Sequence, residues 1–321
     1  MAAAQLQGRD IMTDAAATSV APVLTLENIK KKYRGREALK GISLQLYPGE
    51  LLGFFGPNGA GKTTMIRCIS GLLKPDSGTI TMGLPDDDPA NPERLGLVPQ
   101  NLAVYPDLTV QQNLEIFGRL EGVTGTYLKG RIAEVLEWAA LKDRTRSLAK
   151  SLSGGMQRRL NIACSVLHHP SILLLDEPTV GVDPQSRERI YTMLEQLAEE
   201  GAAVLITTHQ LEEVETRCDR IVVMDHGKIV ANGTLSDLVQ QTIGQPHRVI
   251  LRFDQPYSKP VEGFIFDEER TSAVCSLASM KELPQVLTVL KRLDQEPGRI
   301  DVRSYGLQDV FLELTGRSLR E

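Results

Sequence analysis

Short apolar runs alternate with helical periodicities through the middle of this chain. The runs at 51–55, 172–175 and 202–208 have the length and continuous apolar character of strands buried on both faces of a parallel sheet. A helical period from Gln185 stops at Gly201 and separates the last two runs. This alternation predicts a layered α/β core.

Period-two patterns lie on either side of this core. Apolar and polar residues alternate at 24–26 and 42–46, which predicts antiparallel strands covering one side of the parallel sheet. After the apolar run 202–208, the runs 221–225 and 228–231 flank His226-Gly227, which predicts a hairpin.

Two amphipathic helices are expected in the segment that follows Gln100. The first has Val110, Leu114, Phe117 and Leu120 on one face, and the second has Ile132, Val135, Leu136 and Ala139. They define a helical subdomain at about 101–165, whose apolar faces are mostly intramolecular core. Exposed partner contacts are expected only within 100–113.

The pattern changes near the C-terminus and predicts a second domain. Residues 240–247 have the Gln, Gly and Pro content of a linker that ends a first domain at 23–239. The remaining 248–321 predict a small α+β unit. Its strands are expected at 248–253, 271–277 and 299–303, and its helices at 282–293 and 307–315.

Composition limits the class of protein. The net charge of −5 over 321 residues gives no reason to expect nucleic acid as a partner. Four scattered cysteines fit reduced, buried thiols. No apolar run approaches the roughly twenty residues that span a bilayer, so we expect a cytoplasmic protein that contacts membrane only through partners. Residues 1–22 are expected to form a disordered tail.

The motif Gly56-Pro57-Asn58-Gly59-Ala60-Gly61-Lys62-Thr63 follows the first buried run. Its backbone N–H groups, with those of a helix N-terminus behind them, suit a polyphosphate. Lys62 would reach the β- and γ-phosphates, and the Thr63 hydroxyl would ligate Mg²⁺. The loop from Gly56 to Thr64 is therefore predicted to bind a polyphosphate together with Mg²⁺.

Two later motifs extend this site. Ser153-Gly154-Gly155 begins a helical segment and exposes backbone donors that suit an external anion, although a serine cap alone is equally typical of an ordinary helix. Asp176 and Glu177 follow the run 172–175, where open α/β sheets gather ligands. Asp176 is expected to hold Mg²⁺ through water, and Glu177 to orient or deprotonate the attacking water.

With these three motifs in this order, the chain resembles the ATP-binding subunits of ABC transporters over approximately 23–238. The resemblance implies a P-loop NTPase fold with antiparallel β and helical subdomains. It further implies four roles: Tyr33 stacking on adenine, Gln100 contacting Mg²⁺ and the membrane partner, Asp183 in the loop that crosses the dimer, and His209 sensing the γ-phosphate. Met156 departs from the family, in which glutamine is frequent at that position.

The resemblance also implies partners. Two cassettes would pack head to tail around two ATP molecules, as a homodimer or a heterodimer, and would drive separate transmembrane permease subunits from the inner face of the membrane. The segment 307–316 is similar to the tail of ATPases that serve drug, antibiotic and polysaccharide exporters. Export is therefore the leading hypothesis, while an importer ATPase and a soluble, non-transport cassette protein remain alternatives.

Overall fold

A computed structural model of the protein describes residues 20–83, 95–261, 263–292 and 296–316. Contacts divide the chain between Asn232 and Gly233 into two compact units. Within the described ranges, no helix combines the length and the apolar character that crossing a bilayer requires. The tail predicted at 1–22 lies almost wholly outside these ranges.

The first unit contains two sheets. A three-stranded antiparallel sheet has the order β2-β1-β4, and a six-stranded sheet has the order β5-β6-β7-β3-β8-β9. The strands are β1 (Leu24–Tyr33), β2 (Arg36–Leu46), β3 (Leu51–Phe55), β4 (Ser77–Thr81), β5 (Leu95–Val98), β6 (Ile172–Asp176), β7 (Ala203–Thr208), β8 (Arg220–Asp225) and β9 (Lys228–Gly233).

The larger sheet has the buried, parallel character that the apolar runs predict. β3 pairs in parallel with β7 on one side and with β8 on the other, and β6 pairs in parallel with β5 and β7. Both faces of β6 are covered: Leu173 and Leu175 join one apolar cluster, while Ile172 and Leu174 join the other. The predicted α/β fold is confirmed.

Helices cover this sheet and extend from it. They are α1 (Lys62–Ile69), α2 (Val110–Leu120), α3 (Gly125–Trp138), α4 (Gly154–Cys164), α5 (Pro184–Glu199) and α6 (Leu211–Arg217). α2 begins with a capping box between Thr109 and Gln112, and α5 begins with Asp183 as its cap and proline at its first position. α2 packs against α3 and α4, which forms the helical subdomain.

The second unit is a small α+β structure, as predicted. Its antiparallel sheet has the order β11-β12-β10-β13. The elements are α7 (Leu235–Thr242), β10 (His247–Arg252), β11 (Ile265–Phe266), β12 (Ser272–Leu277), α8 (Leu283–Leu290), β13 (Arg299–Ser304) and α9 (Leu307–Thr315). The two-residue strand β11 is too short to show a period in the sequence.

The boundary between the units differs from the expected linker at 240–247. The division falls at 232/233, and α7 occupies the first part of the expected linker. Its capping box between Thr234 and Asp237 starts the helix, and α7 packs against α9 of the second unit. The Gln-rich stretch at 240–242 is therefore the last turn of a docked helix.

Candidate active site

The candidate active site lies where the parallel strands of the large sheet end. Because β3, β5, β6 and β7 run in the same direction, their carboxyl ends meet at one edge. The loop 56–61 follows β3, and Gln100 lies after β5. Asp176 is the last residue of β6 and Glu177 follows it, while His209 follows β7. Residues from four distant parts of the sequence therefore share one edge.

The loop after β3 requires glycine for steric reasons as well as for ligand access. A Cβ atom on Gly56 would lie 2.2 Å from the Met224 carbonyl oxygen, and Gly61 has a φ of 114°. The Gly227 N–H donates to the Ala60 carbonyl oxygen at 2.9 Å, so the turn between β8 and β9 supports the loop from behind. The backbone donors are thus held in place before any ligand binds.

Lys62 is the first residue of α1 and is only 5% exposed. Its Nζ donates to the Gly56 carbonyl oxygen at 2.6 Å and lies 3.6 Å from Oε1 of Glu177. Burial lowers the pKa of the Lys62 ammonium, and the nearby Glu177 opposes that effect. The cation is therefore partly desolvated inside the loop.

Oxygen donors suited to magnesium meet beside this lysine. The Thr63 hydroxyl donates to Oδ1 of Asp176 at 3.2 Å, and the Thr207 hydroxyl donates to the same oxygen at 2.7 Å. A hydroxyl and one carboxylate fit Mg²⁺, which binds few protein ligands when substrate phosphates supply others. In the described part of the chain, no group of three or more His, Cys, Asp or Glu side chains could hold a metal ion without such help.

Glu177 stands at the centre of the polar contacts at this edge. Its carboxylate accepts from Nε2 of Gln100 at 3.2 Å and lies 3.2 Å from Nδ1 of His209. Its N–H donates to the backbone and side-chain oxygens of Thr207 at 3.0 and 3.1 Å. The backbone φ is 48°, a left-handed value that a residue other than glycine adopts only when its surroundings impose it.

A cavity of about 670 Å³ opens in front of Lys62 and Glu177. Tyr33, at the end of β1, forms part of its wall and is 43% exposed, so its ring is free to stack on a flat ligand. Lys32, Arg36, Lys40 and His226 also line the cavity.

No sequence motif points to the four side chains Lys32, Arg36, Lys40 and His226. The residues around Tyr33 in the sequence are basic, but the β1–β2 register decides which of their side chains point into the cavity. His226 has a φ of 46° at the hairpin turn. This turn contacts the loop 56–61, which brings the His226 side chain into the cavity. No sequence pattern predicts that contact.

Eight predicted site residues do not line this cavity. Four of them belong to the same edge of the sheet: Gly56, Ala60, Asp176 and His209. The other four lie at the starts of α4 and α5: Ser153, Gly154, Gly155 and Asp183. Ser153 caps α4 by accepting from the Met156 N–H at 3.3 Å, and it is exposed together with Gly154. A Cβ atom on Gly155 would lie 2.1 Å from Oγ of Ser186 and 3.2 Å from Oδ2 of Asp183. The start of α4 and the start of α5 therefore form one contiguous, exposed patch.

Comparison with known proteins agrees with this geometry. A family profile described as ABC transporter matches residues 39–180. The linearmycin resistance ATP-binding protein of Bacillus subtilis (strain 168) is 38% identical over 93% of this chain and 100% of its own length. The Nod factor export ATP-binding protein I of Ralstonia nicotianae is 36% identical over 94% of this chain and 96% of its own length. The daunorubicin resistance ATP-binding protein of Streptomyces coeruleorubidus is 36% identical over 92% of this chain and 97% of its own length.

Solved structures match about two thirds of the chain. A dimeric bacterial ABC transporter cassette is 29% identical with a TM-score of 0.58, covering 66% of this chain and 98% of that chain. A dimeric cassette bound to ADP and phosphate after hydrolysis is 28% identical with the same TM-score and coverage. The relatives in sequence extend over both units, whereas these structures cover about two thirds of the chain.

Proposed function

Since this chain belongs to the family of ABC transporter ATP-binding proteins and is an ATP-hydrolysing subunit, we propose that it powers export. Cassettes of this family work as dimers with transmembrane components. In the proposed complex, ATP closes a dimer of two cassettes, hydrolysis reopens it, and separate permease subunits use the motion to move a drug, lipid or polysaccharide out of the cell. The chain would lie on the cytoplasmic face of the membrane.

One observation carries the direction of transport. The relatives named for export or drug resistance match over 92–94% of this chain, and the match therefore includes most of the second unit. Similarity confined to the cassette would be shared with ATPases of either direction. Similarity across both units favours the export branch.

The geometry supports in-line hydrolysis of ATP. Lys62 would turn from the Gly56 carbonyl oxygen to the β- and γ-phosphates, and Tyr33 would stack on the adenine. Magnesium held by Thr63 and Asp176, with Gln100 nearby, would neutralise phosphate charge. Glu177 would accept a proton from the attacking water as the water oxygen bonds to the γ-phosphorus. The bond between the γ-phosphorus and the bridging oxygen breaks, and ADP and inorganic phosphate leave. His209, 3.2 Å from Glu177, would hold that carboxylate and contact the γ-phosphate.

The exposed patch at the starts of α4 and α5 would complete the partner's site. Ser153 and Gly154 are exposed and lie outside their own chain's nucleotide cavity. A helix N-terminus favours an anion, so the tip of α4 would contact the γ-phosphate bound by the other cassette. Asp183 would lie at the same dimer interface.

The proposal is tested by measuring accumulation in cells with the Glu177→Gln variant. The variant should bind ATP but hydrolyse it at least about a hundredfold more slowly, as expected for a lost general base. Cells with only this variant should accumulate more daunorubicin, or another compound of a drug panel, than cells with the wild type. Glu199→Gln, at the exposed end of α5, makes the same charge change and should behave as wild type.

Two results would contradict the proposal. Lower accumulation in Glu177→Gln cells would indicate import. Purification of the wild-type chain from detergent-solubilised membranes without any membrane protein, but with ribosomes, would exclude transport.

A further inference from the structure

The carboxylate of Glu213 is buried beneath the candidate active site and has four polar neighbours. Glu213 lies in the first turn of α6 and is 5% exposed. Its Oε2 accepts from the hydroxyls of Thr179 at 2.9 Å, Tyr191 at 3.0 Å and Thr208 at 3.0 Å. Its Oε1 lies 3.2 Å from Nε of Arg187. A buried charge needs such partners, because losing water would otherwise cost several kcal/mol.

These partners belong to segments that carry the proposed catalytic groups. Thr179 follows Glu177 by two residues, and Thr208 directly precedes His209. Thr179 and Thr208 are 0% and 1% exposed, so neither hydroxyl has water as an alternative partner. The carboxylate therefore joins the loop after β6 to the end of β7.

The remaining two partners attach this junction to α5. Tyr191 is 1% exposed, and its pKa is raised by burial first and by the charge of Glu213 in addition, so the phenol stays a donor. Arg187 lies in the first turn of α5, four residues after Asp183. Glu213 thus connects three elements that meet near the candidate active site, although it lines neither the cavity nor the exposed patch.

We propose that Glu213 is a positioning residue for hydrolysis, which holds the loop after β6 and the loop after β7 at the separation that places His209 against Glu177. This inference rests on the proposed roles of those two residues. The distance between Nδ1 of His209 and Oε1 of Glu177 is 3.2 Å. A displacement of about 1 Å between catalytic groups costs up to about a hundredfold in rate. ATP binding would be spared, because Glu213 supports neither Lys62 nor Tyr33.

The test compares steady-state kinetics of Glu213→Gln and Glu212→Gln in the full-length chain. The Glu213→Gln substitution keeps the shape of the side chain but loses the charge that faces Arg187 and strengthens the hydroxyl bonds. We expect kcat to fall about 10- to 100-fold while KM for ATP stays within about twofold. Glu212→Gln makes the same charge change on the exposed side of the same turn and should leave both constants unchanged.

A double-mutant cycle separates positioning from a general loss of structure. If Glu213 acts through His209, adding Glu213→Gln to His209→Ala should lower kcat by less than about twofold. Thr179→Val removes a single donor without changing side-chain size, and its smaller decrease in kcat should likewise vanish in the His209→Ala background. This second cycle decides the question if Glu213→Gln does not fold.

The outcomes distinguish this inference from the proposed function. Normal kcat in Glu213→Gln and Thr179→Val, or losses that multiply with that of His209→Ala, would overturn the positioning role alone. A normal kcat in His209→Ala would instead remove the proposed role of that histidine and the positioning role with it. A large rise in KM for Glu213→Gln would also contradict the inference, since it would place the effect in nucleotide binding.

Discussion

At the scale of single residues, two groups in the candidate site are held in costly states. Glu177 has a left-handed backbone conformation, which costs of order 1–3 kcal/mol for a residue of this kind. The Lys62 ammonium is buried, donates to the Gly56 carbonyl oxygen and lies 3.6 Å from Glu177, and the charge of Asp176 also acts on it. Triphosphate oxygens would give Lys62 stronger partners than it has now, and this preorganisation favours binding.

Substitution of Lys62 by alanine should therefore weaken ATP binding. A charge-assisted hydrogen bond contributes about 1.5–3 kcal/mol, so the Kd for ATP should rise about 10- to 100-fold. Titration with a fluorescent ATP analogue in the presence of Mg²⁺ measures the effect. Lys129→Ala, an exposed site on α3, is the control and should keep the wild-type Kd. An unchanged Kd in Lys62→Ala would remove the proposed role of this lysine.

At the scale of elements, one face of α4 is bonded to the segment around Gln100. Arg158 donates to the carbonyl oxygens of Pro99 at 3.0 Å and Gln100 at 2.6 Å. Asn161 accepts from the Ala103 N–H at 3.1 Å, and the Ser165 hydroxyl donates to the Leu97 carbonyl oxygen at 2.9 Å. Because these three side chains recur at helical spacing, α4 and the Gln100 segment are joined along two turns. A displacement of the α4 tip would therefore be passed to Gln100.

The tip of α4 is the place to test dimer closure. Ser153→Arg would put a long cation where the partner's nucleotide is proposed to approach, while leaving the chain's own cavity intact. In a Glu177→Gln background, ATP should drive dimer formation, and adding Ser153→Arg should raise the dimer dissociation constant at least about 10-fold by blocking close contact. Analytical ultracentrifugation with ATP and Mg²⁺ measures this.

The control for that experiment is Thr216→Arg, which makes a similar change at an exposed position on α6. It should dimerise as the background does. ATP affinity of the single chain should be retained in both variants. ATP-dependent dimers of Ser153→Arg at normal strength would contradict the proposed sandwich.

At the scale of the whole molecule, burial of thiols links stability to pH. Burial raises the pKa of the Cys164 thiol, and burial followed by nearby carboxylates raises that of Cys218. The folded state therefore keeps these thiols protonated above about pH 8.5, where unfolded cysteines ionise. Since the folded state then binds more protons, stability should fall with rising pH by up to about 1.4 kcal/mol per pH unit for each thiol.

Urea unfolding between about pH 7 and 9.5 measures that dependence, because this range brackets the ordinary thiol pKa. Trp138 is the single tryptophan and lies in the first unit with both cysteines, so its fluorescence reports on the unit concerned. The double variant Cys164→Ala with Cys218→Ala should be less stable at about pH 7 because of lost packing, but its stability should fall less steeply above about pH 8.5. If the free energy of unfolding falls equally steeply with pH in the wild type and the double variant, the thiols do not contribute to the pH dependence.

Much of the site's chemistry is local in the sequence. The loop from Gly56 to Thr63 follows a buried run, so its strand, turn and helix are neighbours in the chain and their geometry needs little from elsewhere. The same holds for Asp176 and Glu177 after β6. The linker expected at 240–247 is instead partly helical, since α7 extends to Thr242. Gln and Gly content describes only local propensity, whereas α7 is stabilised by packing against α9.

By itself, the sequence determined the alternation of buried strands and helices in the core, the phosphate-loop motif and the placement of carboxylates at a strand end, because each depends on residues that are close in the chain. Only the tertiary structure decided which of these groups meet. Glu177 contacts Gln100 and His209 because parallel pairing brings β5, β6 and β7 side by side. The roles of His226 and Glu213 likewise depend on tertiary structure, because strand order and helix packing set their neighbours. A hydrophobic pattern indicates which face of an element is buried, but not which residues cover that face.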